Sequence, residues 1–385
     1  MGTICVFQHD MGSAGALTPA LEILKKQHDV IAFTRAGAPS QPIFEKAGFT
    51  LRTLPDFTDE TVARTKQALI RELLIAVDAD CVVVGVSATN AAPERFAIEA
   101  AWSFGIPVLA LVESWPHRWL ASYGERDLPH YLSVHRICVQ DSLSQEKLYD
   151  VGFESKQVAL TGNPLYDNIV DELATLAAPD RSKVREHFGI ADNALVFLWA
   201  TTADLDDPRE DNPSCPEWLG YSEADALTEF LTAVADAQKR HPDRAIEAIV
   251  RVKPTYTTAK IAKLIKVYCP TARLDQVRNG GTPTIFASDL IAGMATLVLE
   301  QAAARKKPVV SYTPNLSRPD IELQASKLGV VVPLYGVGEL ATLIHLVAAD
   351  PVREIAIVRS RQKPFITLTN AAGNVAAEID KLLLR

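Results

Sequence analysis

Residues 288–315 read SDLIAGMATLVLEQAAARKKPVVSYTPN. An apolar run ends at Ala292, a small-residue turn follows, an alanine-rich helical stretch comes next, and a second apolar run begins at Pro308. This is a strand–turn–helix–strand unit. The turn of Gly293, Met294, Ala295 and Thr296 feeds a helix N-terminus, where free backbone N–H groups and the positive dipole end suit a phosphate. Glu300 is the acid in the apolar first half of that helix. A carboxylate there can accept from the vicinal hydroxyls of a ribose. The same residue also fits a solvated helix position in an ordinary α/β unit.

Outward from this stretch the same alternation covers the chain. Strand-like runs are expected at Thr3–Gln8, Asp29–Phe33, Cys81–Val86, Pro107–Val112, Arg136–Val139 and Gln157–Leu160. Amphipathic stretches separate them at Ala16–Lys26, Thr61–Ala76, Ala92–Phe104 and Leu143–Val151. A second series follows at Ala194–Trp199, Ala245–Arg251, Ala272–Leu274, Leu290–Ala292, Pro308–Tyr312 and Val330–Val332. The strands are continuous apolar runs, as parallel strands buried on both faces require. The expected fold class is therefore α/β, with two doubly wound Rossmann-like domains facing a central cleft. The boundaries fall at 1–170 for the first domain and 180–365 for the second, with a C-terminal helix over 366–385 that packs back on the first. A helix-like DNIVDELATLA joins the halves, and the acidic, proline-containing loop from Ala203 to Ser222 has the length of a functional or mobile loop.

A chain of 385 residues fits two domains better than one core. Its net charge of −8 argues against a general nucleic-acid binder. The N-terminus lacks the basic region and long apolar core of a signal peptide, and no apolar run reaches the roughly 20 residues of a membrane helix. Of the five cysteines, Cys5, Cys81 and Cys138 lie in apolar runs, and none forms a C-x-x-C pair. A metal site or disulfide framework is thus not expected, and a reducing cytoplasm fits.

Four motifs carry chemistry. The first follows the opening strand: Gln8, His9, Asp10, Met11, Gly12, Ser13, Ala14, Gly15. Gly12 and Gly15 permit close backbone approach to a ligand, although the spacing is not that of a dinucleotide fingerprint. His9 and Asp10 stand at the mouth of this turn, as catalysts or as caps. The second is VESWPHRW, in which Glu113 ends a buried strand and qualifies as a general base. Trp115, His117, Arg118 and Trp119 after it would line an acceptor site, form a small membrane-facing patch, or simply pack. The third is TGNPLYD, with Gly162 and Asn163 tolerant of positive φ and Pro164 placed to open a helix. The fourth follows two strands of the second half: Thr201 after one, Arg251 and Lys253 after the other. These two cations would neutralise a diphosphate.

On these residues the chain resembles the GT-B superfamily, which includes nucleotide-sugar glycosyltransferases and UDP-N-acetylglucosamine 2-epimerases. GSAGALTPALEIL looks like the glycine-rich loop of peptidoglycan-type glycosyltransferases. The stretch from Asp78 to Ser114 is similar in layout to the epimerase segment that ends in a catalytic Glu. TGNPLYD is close to the superfamily's T-G-N/H-P-x-x-D box, and residues 287–312 match its donor-binding box. The resemblance implies a nucleotide sugar, with a UDP-sugar foremost, held by the C-terminal domain without a metal or cofactor. Glu300 would bind the ribose, and the Gly293–Thr296 turn the diphosphate. Two departures stand out. Val86 replaces the Asp that ends the corresponding epimerase strand, and Ala200-Thr201-Thr202 replaces the epimerase His-Arg.

The leading expectation is a glycosyltransferase that moves the sugar to a carbohydrate or lipid-linked acceptor. Asp10, His9 or Glu113 would take the acceptor proton. The alternatives are an epimerase-like isomerase or hydrolase, and a non-catalytic nucleotide-sugar-binding protein. A homodimer and a peripheral membrane contact are compatible with this reading.

Overall fold

The computed structural model describes residues 1–54, 61–87, 92–167, 178–202, 205, 212–214, 218, 220–253, 256–276, 282–319, 322–365 and 368–384. The chain divides into two compact units: Met1–Asn168 with Thr367–Arg385, and Ile169–Ile366. The helix-like segment after Asp167 and most of the 203–222 loop lie outside the described residues.

In unit 1, strands β1 (Thr3–Phe7), β2 (Asp29–Arg35), β3 (Thr50–Leu54), β4 (Cys81–Val84), β5 (Val108–Leu111), β6 (Arg136–Val139) and β7 (Val158–Leu160) form one parallel sheet. Their order is β3-β2-β1-β4-β5-β6-β7. Helices α1 (Met11–Leu24), α2 (Gln41–Lys46), α3 (Ala63–Ala76), α4 (Glu94–Phe104), α5 (Pro116–Tyr131) and α6 (Ser142–Asp150) connect them. The strands alternate between two cores because successive side chains leave opposite faces. Cys5 and Phe7 join Val82, Val84 and Val108 on one face, while Ile4 and Val6 join Val83 and Leu109 on the other. Phe7 stacks on Phe33 at 4.6 Å.

Unit 2 repeats the plan. Strands β8 (Leu195–Ala200), β9 (Ile246–Arg251), β10 (Arg273–Asp275), β11 (Leu290–Gly293), β12 (Val309–Tyr312) and β13 (Val332–Leu334) run in parallel in the order β10-β9-β8-β11-β12-β13. The helices are α7 (Ala178–His187), α8 (Glu223–Arg240), α9 (Ala259–Tyr268), α10 (Thr282–Ala287), α11 (Leu297–Ala304), α12 (Gln324–Lys327), α13 (Glu339–Ala349) and α14 (Pro351–Arg361). In each sheet the strand order reverses beside the first strand, between β1 and β4 and between β8 and β11. Such reversal points are where ligands of open α/β sheets bind.

Three local expectations change. The strand β3 has no apolar run, since it is an edge strand with only Leu54 buried. Helix α1 begins at Met11, so Gly12, Ser13 and Gly15 belong to its first turns and do not form a loop. The residues after Trp115 begin a 16-residue helix, with Pro116 at its first position. Proline suits that position because its missing N–H has no partner there in any case.

The last helix, α15 (Ala371–Leu383), belongs to unit 1. It places Val375, Ala376, Ile379 and Leu382 in the core beneath β1. The TGNPLYD segment seats it. Asp167 accepts from the backbone N–H groups of Ala371 and Ala372, both at 2.7 Å, and Asn374 donates to the Thr161 carbonyl at 3.0 Å. Gly162 has φ +85, and a Cβ there would lie 2.9 Å from Ala371 Cβ. The substitution Asp167→Ala leaves two first-turn N–H groups without their acceptor. It is expected to cost about 1–2 kcal/mol and to lower the melting temperature by about 2–8 °C. A calorimetric melting temperature equal to that of the native protein would refute this seating.

Candidate active site and nucleotide site

The unit 1 site lies where β1, β4 and β5 end. Gln8 follows β1 and is fully buried. Its Oε1 accepts from Gly85 N at 2.8 Å, and its Nε2 donates to Ser87 Oγ at 3.0 Å. Gln8 therefore ties the end of β1 to the end of β4. His9 follows, with its side chain buried and its backbone N–H donating to Glu94 Oε1 at 2.8 Å. Asp10 occupies the N-cap position of α1, but its side chain makes no cap hydrogen bond, unlike Asp141 before α6. Its N–H donates to Ser87 Oγ at 3.3 Å. Ser13 is buried and donates to the Val86 carbonyl at 2.8 Å.

Glu113, after β5, reaches the start of α1. A Cβ at Gly12 would lie 3.3 Å from Glu113 Oε1, so the glycine makes room for the carboxyl. A Cβ at Gly15 would make an ordinary contact with Leu165 at 3.4 Å. Asn163 is buried, donates to the Glu113 carbonyl, and accepts from Leu165 N at 3.0 Å. It thus fixes the strand end that carries Glu113.

Burial raises the Glu113 pKa to about 7, and the neighbouring Asp10 adds to the rise. Burial also raises Glu94 to about 8, against the opposing hydrogen bonds from Ser87 and His9, with Asp10 again adding to it. Three carboxyls therefore surround the start of α1. The Gly12–Gly15 segment is thus lined by carboxyls, two of which hold their protons towards neutral pH. Glu94 was not legible in the sequence: an acid in the first turn of a helix is the ordinary preference.

The two tryptophans after Glu113 are not a surface patch. Both are 7% exposed. Trp115 Nε1 donates to Asp141 at 2.6 Å and Trp119 Nε1 to Asp127 at 3.3 Å. With their polar edges satisfied and their rings packed, they offer no interfacial anchor. Among the described residues no helix is long and apolar enough to cross a membrane.

In unit 2 the corresponding edge is built from β8, β9 and β11. Thr201 N donates to the Arg251 carbonyl at 3.0 Å, and Thr201 Oγ1 is buried without a partner among the described residues. Thr202 Oγ1 accepts from Ala295 N at 3.0 Å. Gly293 approaches β8 so closely that a Cβ would lie 2.6 Å from the Ala200 carbonyl oxygen. Met294 and Ala295 are buried, and Thr296 caps α11 through Val298 N. Two N–H groups expected to meet a phosphate, those of Ala295 and Val298, are thus engaged within the chain. Glu300 lies in the first turn of α11 and is 1% exposed, so it is no solvated surface acid.

The two expected cations differ. Arg251 is buried and pairs with Asp275 at 2.5 Å, and Asp275 also accepts from Thr284 at 2.5 Å. This pairing commits the guanidinium to the protein interior. Lys253 is exposed, with its ammonium 5.3 Å from the Tyr256 ring centre.

The raised Glu113 pKa has a consequence for stability. The native state keeps a proton on Glu113 that the unfolded chain releases near its ordinary value of about 4.3. Stability from this group is therefore lost as the pH rises from there through about 7. In Glu113→Gln the melting temperature is expected to rise relative to the native protein between about pH 5 and pH 8. A difference constant across that range would contradict the burial account.

No protein-family model matches the chain, and no curated protein sequence does. Solved structures do match, along the whole length. The UDP-GlcNAc 2-epimerase from Neisseria meningitidis bound to UDP-GlcNAc superposes with a TM-score of 0.68 at 15% identity, covering 100% of both chains. The S. aureus MnaA–UDP structure gives 0.71 at 14% identity, covering 100% of this chain and 97% of the other. A glycosyltransferase from Rickettsia africae gives 0.54 at 12% identity, covering 99% and 93%. The chain has the two-domain GT-B fold that UDP-GlcNAc 2-epimerases and this glycosyltransferase share.

Proposed function

We propose that the chain is an enzyme acting on a UDP-sugar, with chemistry of the 2-epimerase or hydrolase kind. The observation that carries this reading is the group of three carboxyls, Asp10, Glu94 and Glu113, gathered at the start of α1. Two of them have pKa values raised to about 8 and about 7. Epimerising a carbon breaks and remakes a C–H bond. One group must take a proton and another must give one, and both work best near neutrality. Transfer to an acceptor hydroxyl needs one base, and the remaining acids would then be surplus. The whole-length likeness to proteins described with UDP or UDP-GlcNAc supports the substrate class.

Unit 2 is assigned the nucleotide. Lys253 and the unpartnered Thr201 Oγ1 follow neighbouring strands, and the N-terminus of α11 stands at the same sheet edge. Glu300 is assigned the ribose. The reading as a glycosyltransferase is favoured by two features: Val86 supplies no carboxylate after β4, and Ala200-Thr201-Thr202 stands in place of the epimerase His-Arg. In that reading Asp10 would be the base.

The two readings separate in one experiment. UDP-GlcNAc is incubated with the protein without an acceptor and followed by NMR. The manno isomer, or free UDP with free sugar, supports the epimerase or hydrolase. Turnover only after a carbohydrate acceptor is added supports the transferase. No calorimetric binding across a panel of UDP-, GDP-, CDP- and dTDP-sugars would sink both. Glu113→Gln is expected to lower turnover by about 100-fold or more, and Glu300→Ala to weaken UDP binding by about tenfold or more.

A further inference from the structure

Glu94 does more than its place in the first turn of α4 requires. It is 1% exposed. Its Oε1 accepts from His9 N and from Ser87 Oγ. The direction of the second bond follows from donor counting. Ser87 Oγ already accepts from Gln8 Nε2 and Asp10 N, which can only donate, so its single proton goes to Glu94. Oε1 therefore holds the His9–Asp10 turn twice, directly and through Ser87.

The other oxygen is different. Oε2 is buried with no hydrogen-bond partner among the described residues. Glu94 also lines a small cavity of about 10 Å³, together with Ser87, Ala92, Arg95, Arg126, Asp127 and Tyr131. That is room for about one water. An ionised carboxylate with one bare buried oxygen is costly. The acid form places a donor there, and a water in the cavity can accept from it.

We propose that Glu94 is the proton-holding positioning residue of the unit 1 site: it carries its proton on Oε2, towards the cavity, while Oε1 fixes the turn that bears His9 and Asp10. Charged groups surround it on several elements. His9 and Asp10 face it from the turn, Arg95 from its own helix, and Arg126, Asp127 and Tyr131 from α5, with Glu113 nearby at the end of β5. Asp10 disfavours a charge on Glu94, and Arg95 favours one. Arg126, the nearest cation on α5, is taken up by Asp127 at 2.5 and 2.6 Å. Burial, the largest influence, raises the group to about 8. Ionisation above that value adds a further negative charge beside Asp10 and the already ionised Glu113, so Glu94 sets the alkaline limit of the site.

The test uses the full chain and Glu94→Gln, whose amide keeps an acceptor on one side and a donor on the other. In the first arm, protein labelled at the glutamate carboxyl carbons is titrated by NMR. The signal present in the native protein and absent from Glu94→Gln is expected to titrate near 8. A midpoint in the ordinary range of about 4–5 overturns the proposal. In the second arm, which rests on the UDP-sugar reading, the pH profile of UDP release is measured for both proteins, each normalised to its maximum. The native profile is expected to fall near 8 and that of Glu94→Gln to have no such limb. The same limb in both overturns the proposal. If the native protein binds no UDP-sugar, the functional reading fails, and the first arm still decides the role of Glu94.

Discussion

Gly85 has no side chain, and the unit 1 site depends on that. A Cβ there would lie 2.3 Å from Gln8 Oε1 and 2.4 Å from Ser13 Cβ. Because those atoms close over bare backbone, Gln8 can bond Gly85 N, and Ser13 can bond the Val86 carbonyl. The start of α1 is thereby pulled onto the end of β4. The remaining groups follow from that approach. Ser87 comes within reach of Gln8, Asp10 and Glu94, and Tyr131 donates to the Gly85 carbonyl at 2.5 Å. Gly293 has the equivalent role in unit 2, where the Ala200 carbonyl occupies the space of its missing Cβ. Both sheets place a glycine at the strand across the reversal point.

The close packing has an electrostatic cost that the fold carries at one place. Glu94 is fully and Glu113 partly withdrawn from water beside Asp10, with no cation paired to either by a salt bridge among the described residues. Groups in that situation hold their protons rather than their charges. Two other buried charges are paired: Arg251 meets Asp275, and Arg185 meets Asp289 together with the carbonyls of Ala287 and Ala194. The contrast shows that the chain can neutralise a buried charge and does not do so at the start of α1. Perturbed, unpaired carboxyls of this kind cluster at sites of proton transfer.

The architecture was legible because parallel strands buried on both faces read as continuous apolar runs. Most of the described strands announced themselves in this way; the edge strands β3 and β10 carry charged residues and no such run. The ends of elements were less legible. Gly12 and Gly15 read as a turn, yet both lie in a helix, and at Gly12 the neighbour Glu113 needs the space. Glu113 was readable because a carboxylate after a buried strand is unusual. Glu94 was not, because its neighbours in space come from β1 and β4, and its own sequence context is that of an ordinary helix start. Trp115 and Trp119 misled for the same reason. Their partners, Asp141 and Asp127, belong to other turns of the chain.

The two units thus use one structural device for opposite electrical ends. Each brings a helix N-terminus to the strand across the reversal point. In unit 1 the helix end faces carboxyls, and its N-cap Asp10 is not spent on capping. In unit 2 the helix end is capped by Thr296 and braced by Thr202, with Lys253 exposed after the neighbouring strand. A helix end with acids around it favours neither a phosphate nor a second anion, but its dipole does stabilise whichever carboxyl is ionised. The shared backbone therefore leaves the division of roles to a few side chains. At one sheet edge Glu94, Glu113 and Asp10 gather carboxyls, and at the other Thr201 and the exposed Lys253 follow neighbouring strands beside a helix end capped by Thr296.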